Sequence, residues 1–397
     1  MIVLVLNAGS SSLKFRLSQV GAGNAALREL SRGTVERIGT ETALTIVAEG
    51  RRPARAAAKV GDHGEAVRRV VERLRVGGGP GPIEAVGHRV VHGGDRFVRP
   101  TRIDDKVLGA LEALEDLAPL HNRPGLAVIR ACREVLGPDV PMVAVFDTAF
   151  HATLPEYAYR YAIPYALAER HGIRRFGFHG TSYRYVVARY GELAGRPGDE
   201  AALVVFHLGS GCSAAAIRDG VSVDTSMGFT PLEGLVMGTR AGDLDPALVG
   251  YLVAKEGVSP AEVERWLNER SGLLGLSGHS ADMRDLLARE QSDPRARLAV
   301  EVFCYRARKY LGAYLAVLGG ADAVVFTGGV GEHAPEVRAR ICAGMEWCGL
   351  VLDLAQNAHV IGKEGCISTA ASTIRAFVIP TDEEAIIARD TVETLRG

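Results

Sequence analysis

The chain has 397 residues, of which 47% are hydrophobic and 23% are charged. That composition is typical of a globular enzyme and excludes a disordered or fibrous chain. The 46 basic and 47 acidic residues leave a formal net charge of -1, so no global field favours nucleic acid or an anionic membrane as a partner. The length predicts two domains, because a single core stops growing at about 250–300 residues.

The first residues, 1–6, are apolar, but no basic region precedes them and polar Asn7 follows at once. This pattern predicts a buried strand and no signal peptide. The sequence contains no run of about 18–20 apolar residues, the length that a membrane-spanning helix needs. The six cysteines form no CxxC pair and have no spacing typical of a metal site. We therefore expect reduced, mostly buried thiols and a cytoplasmic protein.

Short β-branched runs alternate with amphipathic stretches, which predicts an α/β fold. The predicted elements, in chain order, are strands over 1–6 and 13–17, a helix over 104–116, a strand over 142–146, a strand over 202–206, a hairpin over 214–223 and a strand over 323–326. The polar stretch over 191–200 is expected to connect two halves of the chain.

A segment near the N-terminus is echoed in the second half of the chain. Residues 4–12 (LVLNAGSSS) and 204–213 (VVFHLGSGCS) both read as an apolar strand that opens into a turn of small residues and continues as a strand. The second copy turns back at Asp219-Gly220, a strong hairpin signal. The echo predicts two related domains that face each other; the alternative is a chance recurrence of glycine-serine turns.

The sequence GSGCSA at 209–214 also fits the GxGxxG/A pattern of dinucleotide-binding enzymes. That pattern requires a helix directly after the glycines, whereas this segment continues as a hairpin. A nicotinamide oxidoreductase is therefore disfavoured. The absence of a GxxxxGK[ST] sequence excludes a P-loop NTPase.

Three turns remain that could bind phosphate, over 7–12, 207–213 and 327–333. Backbone N–H groups and hydroxyls of such turns can cradle phosphate oxygens without a P-loop. The third turn follows a strand and leads into a helix with Pro335 in its first turn. Together the three turns favour nucleotide binding, although each alone has a purely structural interpretation.

Several longer motifs agree with one family. They are NAGSSSLKF at 7–15, GHRVVHGG at 87–94, PLHN at 119–122, FDTAFH at 146–151, GFHGTS at 177–182, MGFTPLEG at 227–234 and GTRAGDLDP at 238–246. Through them the chain resembles the acetokinase family over essentially its full length.

The resemblance implies the two-domain, actin-like ASKHA ATPase fold of sugar kinases, heat-shock ATPases and actin, with duplicated domains and ATP in the interdomain cleft. The expected domains are 1–148 plus 383–397, on the acetate and Mg²⁺ side, and 149–382, which binds the nucleotide. The implied reaction is reversible transfer of the γ-phosphoryl group of ATP to acetate, giving acetyl phosphate and ADP. Mg²⁺ is the implied metal, with Mn²⁺ as an alternative, and a homodimer is the implied assembly.

By the same resemblance, Arg89 would bind the acetate carboxylate and Arg240 would clamp the transferring phosphoryl group. His179 would donate a hydrogen bond to a phosphoryl oxygen, with a lesser part for His121. Asp147 matches the family's catalytic acidic residue. Because a carboxylic acid is ionised at pH 7, no general base is needed, so we expect Asp147 to order a Mg²⁺-bound water or align the substrate.

The remaining implied site residues fall into four groups. Asn7 and Glu383 would hold Mg²⁺, with Glu384 as an ambiguity; Val91, Leu120, Phe178 and Pro231 would line the methyl pocket; Ser10, Ser12 and Lys14 would lie near the phosphates; and His207, Leu208, Gly209, Ser210, Gly211, Asp282, Met283, Arg284, Gly329, Val330, Gly331, Glu332 and His333 would bind the nucleotide. Lys14 could instead be plain solvent-facing surface.

The sequence departs from the family pattern at Ser210, His333 and Asp382, each in place of an expected asparagine. These changes leave the preference for the phosphoryl donor open. Two alternatives to an acetate kinase remain: a propionate kinase of the same family, because one methylene in an apolar pocket is worth only about 1–3 kcal/mol, and a non-catalytic actin-like nucleotide sensor.

Overall fold

The structure is a computed structural model that describes residues 1–9, 11–21, 27–40, 42–48, 54–76, 81–115 and 119–397. For residues 48, 55–58, 76 and 119–121 it describes the backbone alone. The chain divides into two compact units, unit 1 over Met1–Phe150 and Asp382–Gly397 and unit 2 over His151–Thr381.

Unit 1 contains an eight-stranded sheet and four α-helices in its described residues. Its strands are β1 (Ile2–Ala8), β2 (Ser12–Val20), β3 (Leu27–Glu36), β4 (Thr42–Ala48), β5 (Ala54–Ala58), β6 (Ala85–Val90), β7 (Thr101–Arg102) and β8 (Met142–Phe146), and its helices are α1 (His63–Val76), α2 (Asp105–Glu112), α3 (Pro119–Leu136) and the C-terminal α15 (Glu383–Arg396). The strand order is β5-β4-β3-β2-β1-β6-β8-β7.

Strand β1 lies in the middle of this sheet and is buried along its whole length. It pairs with β2 in an antiparallel hairpin and with β6 in parallel. Leu4 and Leu6 pack with residues of α1 and α3, whereas Val3 and Val5 pack with residues of α15. Both faces of the sheet are thus covered, which explains why an unbroken apolar run forms this strand.

Unit 2 contains a six-stranded sheet and eleven α-helices in its described residues. The helices are α4 (Glu156–Tyr159), α5 (Tyr165–His171), α6 (Gly180–Ala194), α7 (Ala247–Glu256), α8 (Pro260–Glu269), α9 (Gly272–Ser277), α10 (Met283–Arg289), α11 (Pro294–Leu318), α12 (Gly328–His333), α13 (Pro335–Cys342) and α14 (Leu354–His359); the strands are β9 (Ala202–Leu208), β10 (Cys212–Arg218), β11 (Val221–Thr225), β12 (Ala323–Thr327), β13 (Gly365–Cys366) and β14 (Arg375–Val378). Short 3₁₀ helices span Ala149–Thr153, Gly198–Glu200 and Glu346–Cys348. Helices α6 and α11 pack against β9.

The two sheets repeat one topology. In unit 2 the strand order is β11-β10-β9-β12-β14-β13. An antiparallel hairpin, β9–β10, is followed outward by parallel β12 and β14, just as the β1–β2 hairpin is followed by parallel β6 and β8. The prediction of an α/β fold with duplicated domains is confirmed. Strand β10 also occupies the place where a dinucleotide-binding fold needs a helix.

Three predicted elements differ from the structure. Helix α2 is shorter than the predicted 104–116; Asp104 caps it through Val107 N (2.7 Å) and it ends at Glu112, while residue 116 lies outside the described residues. The predicted connection over 191–200 begins inside α6, which continues to Ala194 and stops at Gly195, where φ is 66°. The third glycine segment is helix α12 and not an open turn.

The burial of the cysteines agrees with the prediction of mostly buried thiols. All six cysteines are free thiols, four of them buried and two half-buried. Within the described parts of the chain, no helix combines the length and the apolar character needed to cross a bilayer.

Candidate active site

In unit 1 the predicted site residues meet at one edge of the sheet. Asn7 lies near the end of β1, Arg89 near the end of β6, and Asp147 directly follows β8. These three strands are parallel neighbours, so their carboxyl ends share the edge where open α/β sheets bind ligands. Glu383, the first residue of α15, lies there too.

Arg89 links these residues. Its Nε and Nη2 atoms donate to the two carboxylate oxygens of Asp147 at 2.8 and 2.6 Å. Its Nη1 atom donates to Asn7 Oδ1 at 3.1 Å and lies 3.4 Å from Glu383 Oε2. The donor fork that we expected to bind acetate is thus engaged by Asp147. Nη1 and Nη2 also have partners, so a substrate carboxylate at the Nη edge would use the N–H groups that these hydrogen bonds leave over.

Burial and charge oppose each other in this cluster. Burial alone would lower the pKa of Arg89, but the carboxylates of Asp147 and Glu383 outweigh it and raise that pKa above its ordinary value. Burial raises the pKa of Glu383, against the attraction of Arg89. Asp147 is only 1% exposed, so this carboxylate orients Arg89 and is shielded from solvent.

The predicted Mg²⁺ ligands fit a magnesium ion in their chemistry. Asn7 Oδ1 and Glu383 Oε2 both contact Arg89 Nη1, which places the amide and the carboxylate on the same guanidinium nitrogen. Mg²⁺ prefers oxygen ligands and usually keeps several waters, so one carboxylate and one amide can suffice. Among the described residues no three His, Cys, Asp or Glu side chains form a metal-binding group.

The β1–β2 hairpin carries the predicted phosphate residues. Lys14 lies directly opposite Asn7 in the register, so both side chains are on the same face of the sheet; Lys14 is exposed and Ser12 is half-buried. The turn is closed by Gly9 N, which donates to Ser12 O at 2.8 Å. Ser10 lies outside the described residues.

The segment after β6 is held by Asn122. Its side chain accepts from His92 N at 3.2 Å and donates to His92 O at 3.3 Å, which fixes the chain next to buried Val91. Leu120 and His121 belong to α3, but their side chains lie outside the described part of the structure.

In unit 2, His179 occupies a strained backbone position at the start of α6, with φ at 59°. Its Nδ1 atom lies 2.8 Å from Ser213 Oγ, and its ring stacks on the ring of His207 at 4.1 Å between centroids. Ser213 Oγ is also 2.5 Å from Tyr183 Oη. Ser213 and Tyr183 were not predicted as supports of His179, because only the fold brings them together.

Arg240 lies beside His179. A Cβ atom added to Gly211 would be 2.8 Å from Arg240 Nη2 and 3.6 Å from His179 Nε2, so this glycine leaves room between the two side chains. Arg240 Nη1 donates to Pro231 O at 2.7 Å, and among the described residues Arg240 has no carboxylate partner. Burial lowers its pKa. A half-buried guanidinium without a counter-ion is suited to bind an anionic group.

The loop that carries Pro231 is braced by a second network. Arg175 Nη2 pairs with Glu233 Oε1 at 2.5 Å, and Tyr161 donates to Glu233 Oε2. Tyr161 also accepts from Phe229 N at 2.8 Å. Pro231 is half-buried, whereas Phe178, the other predicted wall of the methyl pocket in unit 2, is 1% exposed.

The predicted nucleotide residues of unit 2 converge on the turn after β9. Gly238 N donates to Ser210 O at 3.1 Å, and a Cβ atom on Gly238 would lie 3.3 Å from Ala281 O, which brings the 282–284 segment near this turn. Gly328 has φ at 76° and would place a Cβ atom 2.7 Å from Leu208 O. The start of α12 therefore packs directly on the end of β9.

The predicted nucleotide side chains have varied surroundings. Asp282 caps α10 through Arg284 N (2.9 Å) and pairs with Arg284 Nη2 (2.6 Å), and the hydrogen bonds from Arg284 lower its pKa. Arg284 is 87% exposed. Glu332 Oε1 accepts from Gly328 N at 2.9 Å, and exposed His333 Nδ1 lies 3.1 Å from Gly329 O. Gly328, Gly331 and Met283 are buried.

The third departure from the family pattern has a local partner. Asp382 accepts from Arg16 Nη1 at 2.5 Å and caps α15 through Ala385 N at 3.0 Å. Arg16 also pairs with Glu29 at 3.0 Å. The negative charge of Asp382, next to Glu383, is thus paired with Arg16.

Comparisons with known proteins agree over the full chain. The family model described as the acetokinase family matches residues 2–389. The chain is 53% identical to an acetate kinase from Solibacter usitatus (strain Ellin6076), covering 100% of this chain and 99% of that one. Among solved structures it is similar to a Porphyromonas gingivalis acetate kinase (42% identity, TM-score 0.90) and a Francisella tularensis subsp. tularensis SCHU S4 propionate kinase (39% identity, TM-score 0.91), each with 99% of both chains covered.

Proposed function

The chain belongs to the acetokinase family, and we propose that it acts as an acetate kinase, transferring the γ-phosphoryl group of ATP to acetate and catalysing the reverse reaction. The family predicted from the motifs is confirmed, and the acetate kinase function agrees with curated relatives at 46–53% identity. The observation of this structure that supports it most is Arg240, which is half-buried next to His179 and has no carboxylate partner in the described part of the chain.

Phosphoryl transfer needs charge neutralisation and alignment more than covalent chemistry by the protein. Arg240 supplies a planar donor group for the equatorial oxygens of the transferring phosphoryl group. His179 supplies a hydrogen bond from Nε2, the ring atom that faces away from Ser213 and towards Gly211. Its strained backbone and its contacts with Ser213 and His207 hold the ring in place.

Arg89 orients the acceptor carboxylate through its Nη edge. Asp147 holds the guanidinium by two hydrogen bonds, so its contribution is alignment of Arg89. No proton has to be removed from acetate at neutral pH, which agrees with a carboxylate that is paired and shielded from solvent.

Mg²⁺ is the metal proposed here, with Mn²⁺ as an alternative, and Asn7 and Glu383 would hold it. When bound, the ion supplies positive charge to the phosphate oxygens. Lys14, on the same face as Asn7, adds positive charge to this region.

The nucleotide is proposed to bind along the turn His207–Gly211, the start of α10 and helix α12. All three elements are adjacent within unit 2, through Gly238 and Gly328. Glycine at these positions lets the backbone segments approach each other closely.

Acetate is preferred to propionate as the proposed substrate, since curated relatives at 48–53% identity are named acetate kinases. A homodimer is also proposed. It is supported by helix α7, which has no buried residue and exposes Leu248 (46%) and Tyr251 (57%). A cytoplasmic location is supported by the six free thiols.

A substrate series tests the proposal. Acyl phosphate formed from ATP, Mg²⁺ and acetate, propionate or butyrate is trapped with hydroxylamine and measured as the hydroxamate. We expect the highest kcat/KM with acetate. A propionate optimum would make the chain a propionate kinase, and no product from any acid would refute the proposed kinase activity in favour of a nucleotide sensor.

A further inference from the structure

Arg338, in helix α13, is an arginine that neither the motifs nor the proposed mechanism uses. It is fully buried, with 0% of its surface exposed, and among the described residues it has no salt-bridge partner. Burial of a guanidinium is costly unless its hydrogen bonds are satisfied. A buried arginine without a carboxylate therefore needs a structural or functional reason.

All five N–H groups of Arg338 are hydrogen-bonded. Nη1 donates to Gly331 O at 2.8 Å and Glu332 O at 3.1 Å. Nη2 donates to the carbonyl oxygens of Asn357 and Val360, both at 2.7 Å, and Nε donates to Asn357 Oδ1 at 2.8 Å. Four of the five acceptors are thus backbone carbonyls.

The acceptors belong to the ends of two short helices. Gly331 and Glu332 lie in the last turn of α12, and Asn357 and Val360 lie at the end of α14. Carbonyls at helix C-termini lack partners within the helix and carry partial negative charge. They replace the missing carboxylate, although burial still lowers the pKa of Arg338 to about 10.

Helix α12 is also held at its other end. There the Glu332 side chain, through Oε1, accepts from Gly328 N at 2.9 Å. Gly328 packs on the backbone of Leu208. The position of α12 against the turn after β9 therefore depends on Arg338 at one end of α12 and on Glu332 at the other.

We propose that Arg338 is a positioning residue for the nucleotide, which fixes α12 in the place where the phosphoryl donor binds. Arg338 is wholly buried, so it acts through the backbone of Gly331 and Glu332. This inference rests on the proposed nucleotide site. Only arginine provides five donors in one plane; lysine provides three from a single atom.

The role is tested by comparing how the KM for ATP and the KM for acetate change in variants of Arg338. In Arg338→Lys and Arg338→Gln we expect the KM for ATP to rise by about 10-fold or more while the KM for acetate stays within about twofold, because part of the α12 hydrogen bonding is lost. A residue that only stabilises the core would leave both KM values unchanged in the folded fraction. Equal changes in both KM values, or an unchanged KM for ATP, would overturn the proposal.

The matched control is Arg218→Lys. Arg218 also donates to backbone carbonyls at a helix end, with Nη2 at 2.6 Å from Leu318 O in the last turn of α11. It lies away from α12, so we expect wild-type KM values for ATP and acetate. A rise in the KM for ATP in this control as large as in Arg338→Lys would contradict a specific role for Arg338.

A milder variant keeps the test decisive if the Arg338 variants do not fold. Asn357→Ala removes one acceptor of Arg338 and leaves its four backbone acceptors, so we expect an increase of about threefold in the KM for ATP. Hydrogen exchange gives a second readout: the amides of α12 should exchange faster, and those of β12 at the wild-type rate. Wild-type KM for ATP together with wild-type exchange in α12 would refute the role.

Calorimetry of ATP binding separates this inference from the proposed reaction. If the wild-type chain binds MgATP but forms no acyl phosphate, the kinase proposal fails, and the dissociation constant for MgATP still tests Arg338. A dissociation constant raised by about 10-fold in Arg338→Lys supports the positioning role. An unchanged constant contradicts it.

Discussion

Asp147 accepts two hydrogen bonds from Arg89, at 2.8 and 2.6 Å, and is almost completely buried. The pair joins residues that are 58 positions apart, at the ends of neighbouring parallel strands. Because Asp147 is committed to Arg89, we infer that Asp147 affects the reaction by orienting the guanidinium.

A double-mutant cycle tests this relationship. Asp147→Ala should lower kcat/KM by about 10²-fold, the scale expected for a misplaced catalytic group, and the double variant Arg89→Ala/Asp147→Ala should be no slower than Arg89→Ala alone. Asp147→Ala should also lower the free energy of unfolding by about 1–3 kcal/mol, since two donors of Arg89 lose their acceptor while the Glu383 carboxylate still pairs with the guanidinium. Multiplicative losses in the double variant would show that Asp147 contacts the reacting groups independently.

Ser213 should support the His179 ring. Ser213→Ala removes the hydroxyl 2.8 Å from His179 Nδ1, so we expect kcat to fall by about 10–100-fold, the range for loss of an orienting partner, with the KM for acetate within about twofold. Steady-state kinetics check this, with Ser18→Ala as a control at a buried serine of unit 1 whose hydroxyl has no hydrogen-bond partner among the described residues. A wild-type kcat in Ser213→Ala would contradict the role.

Asp382 combines a helix cap with an ion pair, and two substitutions separate them. Asp382→Asn keeps an N-cap acceptor for Ala385 N and loses only the charge interaction with Arg16, so it should lower the free energy of unfolding by less than about 1 kcal/mol. Asp382→Ala also removes the cap and should cost about 1 kcal/mol more. Urea unfolding measures both values. Equal destabilisation by the two variants would contradict a contribution from the cap.

His88 gives the protein a predictable response to acid. It is fully buried in β6, neither ring nitrogen has a hydrogen-bond partner among the described residues, and burial lowers its pKa from 6.5 to about 3. Between these values the unfolded chain binds a proton at this position and the folded chain does not. The contribution of His88 to the free energy of unfolding is therefore complete above pH 6.5. It is lost by about 1.4 kcal/mol per pH unit as the pH falls from 6.5 towards 3.

The test replaces His88 by a residue that does not titrate. Between pH 7 and pH 5, the free energy of unfolding should fall by about 2 kcal/mol less in His88→Leu than in the wild type. Urea titrations at the two pH values measure this difference. The control, His171→Leu, lies at an exposed position in α5 and should keep the wild-type slope. A wild-type slope in His88→Leu would show that burial does not lower the pKa of this histidine.

The sequence predicted the parts of the fold that depend on local pattern. Strand β8 was predicted with the observed bounds, Met142–Phe146, because a continuous apolar run suits a strand covered on both faces. The β10–β11 hairpin was predicted because the Asp219-Gly220 pair is a strong turn signal and alternation resumes after it. Helix α12 was missed, since three glycines in six residues disfavour a helix, and here tertiary contacts of Arg338 and Glu332 stabilise it.

The motifs identified candidate residues but not their partners. Long-range pairs such as Arg89 with Asp147, or His179 with Ser213, depend on which strand ends become neighbours, and no local pattern specifies this. Arg338 lies on a short, charged helix and reads as a surface residue in the sequence. Its burial follows from the carbonyls of α12 and α14, which only the folded chain brings together.

Arg240 is proposed to stabilise the transferring phosphoryl group, and one assay tests this role most directly. Acetyl phosphate formed from ATP, Mg²⁺ and acetate is trapped as the hydroxamate and measured in the wild type, in Arg240→Ala and in the control Arg270→Ala. Arg270 is exposed and has no assigned role. We expect wild-type turnover for Arg270→Ala and a loss of about 10³-fold or more for Arg240→Ala, the scale for a catalytic arginine in phosphoryl transfer, with an unchanged circular dichroism spectrum. Wild-type turnover in a folded Arg240→Ala variant would contradict the claim.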